Sequence, residues 1–130
     1  MATRTLNAQS EHDAIIAAIA GIYQRNGFEV WTNPGSSQNQ RFNGMYPDVI
    51  VKLKNQNSYY ILEVETGDSV NDSEVQQWTT YRTLFNFTLV VPAQALATAE
   101  TLVSTHGAPM MRFATYVLNM GGTATFSSLP

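Results

Sequence analysis

At 130 residues the chain has room for one domain with a real core and none for a second. The absence of cysteine excludes disulfide scaffolds, thiolate zinc sites and cysteine nucleophiles together. A net charge of −3 argues against a global electrostatic grip on nucleic acid while leaving a local one open, and no apolar run nears the roughly 18 residues of a membrane span.

Residues 1–9 read as a loose leader without the apolar core of a signal peptide, so a cytoplasmic protein is expected. Ser10 with Asp13 forms a capping-box pattern, and Ile15, Ala18, Ile19 and Ile22 recur at helical spacing until Asn26-Gly27 stops the helix. Phe28 to Trp31 reads as a short strand, and the polar, Gly- and Pro-bearing TNPGSSQNQRFNGMYP as a long loop. Asp48 to Lys54 and Tyr59 to Thr66 are strands joined as an antiparallel hairpin by the turn Asn55 to Ser58. Asn71 with Glu74 opens a helix to about Leu84, in which Val75, Trp78 and Phe85 share helical spacing and read as core. Phe87 to Val91 is a strand closed by Pro92, and Ala93 to Thr105 a helix stopped by Gly107. Met111 to Asn119 is the last strand, with GGTATFSSLP as a frayed tail or edge. The order is that of a single α/β domain over 1–130, a central mixed sheet flanked by helices.

The stretch YPDVIVKLKNQNSYYILEVETGDSV carries the chemistry. Folding the hairpin about its turn sets Ile50 opposite Glu63 and Asp48 opposite Glu65, with Asp48, Glu63 and Glu65 on one face at one end of the sheet. Both strands are apolar on both faces, so these carboxylates are costly to bury without a use. Three so close repel one another unless a cation joins them, and hard divalent ions such as Mg²⁺ or Mn²⁺ take oxygen ligands of this kind. In the loop, Arg41, Ser36 and Ser37 are placed to meet phosphates, as is Arg82 in the second helix. Asp68 and Ser69 follow the second strand closely enough to touch a ligand, though turn formation also explains them. His12 and His106 read as incidental surface histidines.

Pro47-Asp48 and Glu63-Val64-Glu65, with Gln77 and Tyr81 in QWTTY four apart on the following helix, resemble the PD-(D/E)xK nuclease superfamily. The flavour is nearest to Holliday junction resolvases and RecB-type nucleases. The resemblance covers about residues 10–92 and implies a restriction-endonuclease-like α-β-β-β-α-β core, here followed by a C-terminal helix and strand. It implies a metal-dependent hydrolase of DNA, branched or single-stranded, acting as a homodimer. Asp48 and Glu63 would bind Mg²⁺ or Mn²⁺, Glu65 would ligate or act as general base, and Gln77 and Tyr81 would position the substrate. The family usually has Lys where this chain has Glu65, which leaves a catalytically inactive binding or accessory module as the alternative. It often carries a glutamate on the first helix; Glu11 is the candidate, although a first-turn acid is explained by the helix dipole.

Overall fold

The computed structural model describes residues 5–81, 86–107 and 111–130. Helix α1 spans Leu6–Arg25 and is capped by Thr5, whose side chain accepts from the Ala8 amide at 3.1 Å. It therefore begins before the Ser10 cap read from sequence, and residues of the expected leader are helical. Asp13, the expected box partner of Ser10, instead accepts from the Gly35 amide and from Gln9.

Strands β1 (Glu29–Thr32), β2 (Val49–Lys52) and β3 (Tyr59–Val64) follow as an antiparallel meander. Helix α2 (Asp72–Tyr81) then crosses to β4 (Phe87–Pro92), and α3 (Leu96–Thr105) to β5 (Arg112–Leu118). Both β3–β4 and β4–β5 pair in parallel, and β6 (Ala124–Ser127) adds antiparallel at the far edge. The tail read as frayed or edge is thus an edge strand. The sheet order follows the chain, β1 to β6.

Alternation along the central strands divides the core in two. Val49, Val51, Leu62, Val64 and Val90 pack against Ile15, Ile16, Ile19 and Tyr23 of α1. Ile50, Ile61, Leu89 and Val91 pack on the opposite face against Val75 and Trp78 of α2 and Ala99 and Val103 of α3. Two successive crossovers of one hand, stepping the same way across the sheet, lay their helices on a single face. Strands covered on both sides must be apolar at nearly every position, which is why these read as unbroken apolar runs. Trp78 is a core residue, as its spacing suggested.

The β2–β3 hairpin pairs in a register two residues from the one read from sequence. Lys52 lies opposite Tyr59 and Val49 opposite Leu62, and the Leu53 amide closes the turn onto the Ser58 carbonyl at 2.9 Å. The four-residue turn thus starts at Lys54 rather than Asn55, and moving a turn by one residue slides the pairing by two. Asn55 takes a positive φ of 57° within it, a conformation that asparagine tolerates better than most residues. An even slide keeps every side chain on its face. Asp48, one residue before β2, therefore sits beside Glu63 rather than Glu65.

Candidate functional site

At one end of the sheet β1 stops, β2 starts and β3 stops, and the three carboxylates gather there. All are buried: Asp48 retains 7% exposure, Glu63 4% and Glu65 2%. Asp48 and Glu63 clasp each other through the backbone. The Asp48 amide donates to Glu63 Oε1 at 2.9 Å, and the Val64 amide donates to Asp48 Oδ2 at 2.8 Å. Hydrogen bonding of this kind is what makes a buried carboxylate tolerable. Glu65 lies just past β3, where its amide still pairs with the Val90 carbonyl at 2.9 Å.

The structure adds two residues that the sequence reading missed. His12, read as incidental, is 2% exposed. Its Nε2 lies 3.1 Å from Asp48 Oδ2 and its Nδ1 lies 3.0 Å from Asp13 Oδ1. A ring with both nitrogens protonated satisfies both carboxylates by donation. The signal was present in the periodicity: His12 extends the stripe of Ile15, Ile16, Ile19 and Tyr23 by one step toward the helix start. Asn33 is likewise buried and ties down the long loop. Its Nδ2 donates to the Gln40 and Pro47 carbonyls at 2.9 and 2.7 Å, its Oδ1 accepts from the Gln40 amide at 2.8 Å, and its own amide donates to the Asp48 carbonyl at 3.1 Å. No sequence pattern distinguishes it from the other asparagines of the loop.

The other end of the loop is pinned to α1. Gly35, at φ 59°, donates its amide to Asp13 Oδ1 at 2.9 Å. Burial would raise the Asp13 pKa, but hydrogen bonds from His12, the Gly35 amide and Gln9, with the charge of His12, hold it below the ordinary value of 3.8.

These elements enclose a cavity of about 320 Å³. Asp48, Glu63 and Glu65 line it with His12 and Asn33, the loop stretch from Gly35 to Gln38, Met45 and Tyr46, and Gln77 and Thr80 of α2. Ser36, Ser37 and Gln77 are therefore brought to the carboxylates as expected. Arg41 lines a neighbouring cavity instead. Arg82 and the side chain of Tyr81 lie outside the described residues. Glu11 accepts from the Tyr116 hydroxyl at 2.5 Å and is not among the residues around the carboxylate cavity. Asp68 and Ser69 bond to Thr66 in the turn Gly67–Ser69, a structural use of both.

No Lys or Arg among the described residues lines the cavity. Among the described residues, no group of three or more His, Asp or Glu side chains is arranged to hold a metal ion as it stands. Part of the reason is visible in the clasp, which turns Glu63 Oε1 to one backbone amide and Asp48 Oδ2 to another. The carboxylate oxygens themselves are of the kind that Mg²⁺ or Mn²⁺ takes.

Comparison of the chain with protein-family models, with curated proteins and with solved structures gives no match. No helix among the described residues is long and apolar enough to cross a membrane.

Proposed function

We propose that the chain is a metal-dependent nuclease of the PD-(D/E)xK kind, hydrolysing DNA phosphodiester bonds. The observation that carries this reading is the gathering of Asp48, Glu63 and Glu65, all buried, around one cavity. The order α1-β1-β2-β3-α2-β4, with an antiparallel meander followed by a parallel strand, also agrees with the core that the resemblance implies. Asp48 and Glu63 would hold Mg²⁺ or Mn²⁺, with His12 orienting Asp48 from α1. A divalent cation bound there polarises the scissile phosphate and lowers the pKa of its water. Glu65 serves as ligand or general base. Gln77, Ser36 and Ser37 orient the phosphate through neutral donors, which add no charge to a site already rich in it.

A second reading is favoured by one specific feature. Glu65 stands where the family has Lys, and among the described residues no Lys or Arg lines the cavity to stabilise charge developing on a phosphate. On that reading the domain binds without cutting. One experiment separates the two: incubation with labelled single-stranded, duplex and branched DNA in Mg²⁺ and in Mn²⁺. Outer-shell partners of a metal already cost 10–100-fold, so Asp48→Asn should lower the cleavage rate by about a hundredfold or more. Cleavage that survives Asp48→Asn intact points to a contaminant, and a wild type inert on every substrate overturns the nuclease reading.

A further inference from the structure

We propose that the half-buried aromatic cluster Trp31, Phe42 and Tyr59, beside the carboxylate cavity, is a stacking subsite for unpaired nucleotides of a single DNA strand. The proposal rests on the nuclease reading for its class of ligand and adds a substrate form to it.

The cluster occupies the same face of the sheet as the carboxylates. Trp31 lies opposite Ile50, and Ile50 is two residues along β2 from Asp48, so the backbone positions of Trp31 and Asp48 are about 8 Å apart. The Phe42 and Tyr59 rings are 5.3 Å apart at 67°, and Trp31 stands 6.4 Å from Tyr59 at 53°. Around them lie two small cavities. One, of about 190 Å³, is lined by the three rings with Gln40, Arg41 and Ile50. The other, also of about 190 Å³, shares Phe42 and Tyr59 and adds Asn43, Asn57, Ser58 and Asn86. The Phe42–Tyr59 pair is therefore a wall with an open compartment on each side.

The size and chemistry of the compartments fix the occupant. Each compartment is smaller than the roughly 300–1,000 Å³ of a drug-sized pocket, and its aromatic wall suits one flat ring system. The three rings pack against the core on one side and, being only partly buried, border open space on the other. The second compartment carries asparagine amides, which offer donors and acceptors to a base edge; Asn43 and Asn86 also serve their turns through positive φ values of 49° and 62°. Cations complete the picture: Arg41 is exposed at the rim, and Lys52 pairs with Tyr59 across the strands. In a chain of net charge −3, two cations beside an aromatic patch are a local match for a sugar–phosphate backbone. Bases in a duplex spend their faces on each other, so only unpaired nucleotides can stack on protein rings.

The test is binding in EDTA, where no cleavage occurs, followed by anisotropy of a labelled twelve-nucleotide oligo-dT and of a duplex of the same length. The wild type should bind the single strand about tenfold more tightly than the duplex, and Tyr59→Leu should lose about tenfold in single-strand affinity. Tyr59→Phe keeps the ring and should restore it to within about twofold. Emission supplies a readout independent of any variant's folding. The chain has two tryptophans, and Trp78 is fully buried, so quenching by oligo-dT reports on Trp31. Equal affinity for the two DNA forms, or an unquenched Trp31 in the bound wild type, overturns the subsite. A wild type that cleaves DNA yet shows no single-strand preference overturns the subsite alone. Selective, Tyr59-dependent binding without cleavage supports the subsite while the catalytic reading fails. Binding of neither form, together with no cleavage in Mg²⁺ or Mn²⁺, overturns both.

Discussion

Asp13 is a single side chain that joins three elements near the site. Its carboxylate accepts from the Gly35 amide of the loop and from Gln9 within α1, and it faces the ring nitrogen of His12 that is turned away from Asp48. Because these bonds hold its folded pKa below the ordinary value of 3.8, the stability it contributes is fully present above that value and is lost as pH falls through the folded pKa. The side chain is 39% exposed, so solvent screening limits the contribution to under about 1 kcal/mol. Asp13→Asn should therefore be slightly less stable than the wild type at neutral pH, and the difference should shrink toward about pH 3. Urea unfolding across that range checks it. A gap of constant size from neutral to acid would mean that the charge of Asp13 contributes nothing. At this scale the sequence was readable only where a residue broke a pattern. Asp48, Glu63 and Glu65 interrupt apolar strands and so declared themselves. His12 continues an apolar stripe as a polar member, a weaker departure, and Asn33 departs from nothing.

Among the elements, the loop between β1 and β2 carries the most function for the least regular structure. Loops of this length within a compact domain are uncommon unless they bind something. Asn33 fixes it through three side-chain hydrogen bonds to Gln40 and Pro47, all inside the protein. At a net worth of about 1 kcal/mol each, Asn33→Ala should cost about 3 kcal/mol. Asn33→Asp keeps the size but cannot donate to the two carbonyls, so it should cost at least as much. Equilibrium unfolding measures the loss, and a change below about 1 kcal/mol in Asn33→Ala would show that the loop holds its shape without the clamp. Elements were legible from sequence where periodicity ran long, as in α1 and β4, and their boundaries where a residue type decides them, as Asn71 does by accepting from the Ser73 amide before α2. The register of β2 against β3 was not. It depends on which of two adjacent asparagine-rich positions takes the left-handed conformation, a choice of one residue that the pattern does not mark. The start of α1 slipped for a similar reason, since Thr5 and Ser10 are both good caps, and Asp13, the partner that a Ser10 box needs, is turned to Gly35 and Gln9.

For the molecule as a whole, the mixed character of the sheet was legible because each kind of connection favours one pairing. A short hairpin demands antiparallel neighbours, and a strand–helix–strand unit demands parallel ones. What order and composition do not show is where the charge sits, and that decides how nucleic acid would be held. The chain has 7 Lys and Arg against 10 Asp and Glu. Lys54 sits over the Phe28 ring at 4.7 Å, and Arg25 ends α1, which packs on the face of the sheet away from the carboxylates. Arg41 and Lys52 border the aromatic cluster. Each phosphate neutralised on a single strand contributes about −0.7 to the slope of log affinity against log salt. Two contacts therefore give a slope of about −1.4, whereas engagement of all seven basic residues would give about −5. The proposed grip is thus mainly stacking, with electrostatics as a minor partner, and affinity for oligo-dT should fall only a few-fold between about 50 and 200 mM salt. Arg41→Ala should flatten the slope by about 0.7 and weaken binding at low salt most, because it removes one of the two counterion-releasing contacts. A measured slope near −5 would contradict the arrangement: it would require the strand to follow basic residues on surfaces far from the carboxylate cavity, and the aromatic cluster would then be a by-stander to binding rather than its centre.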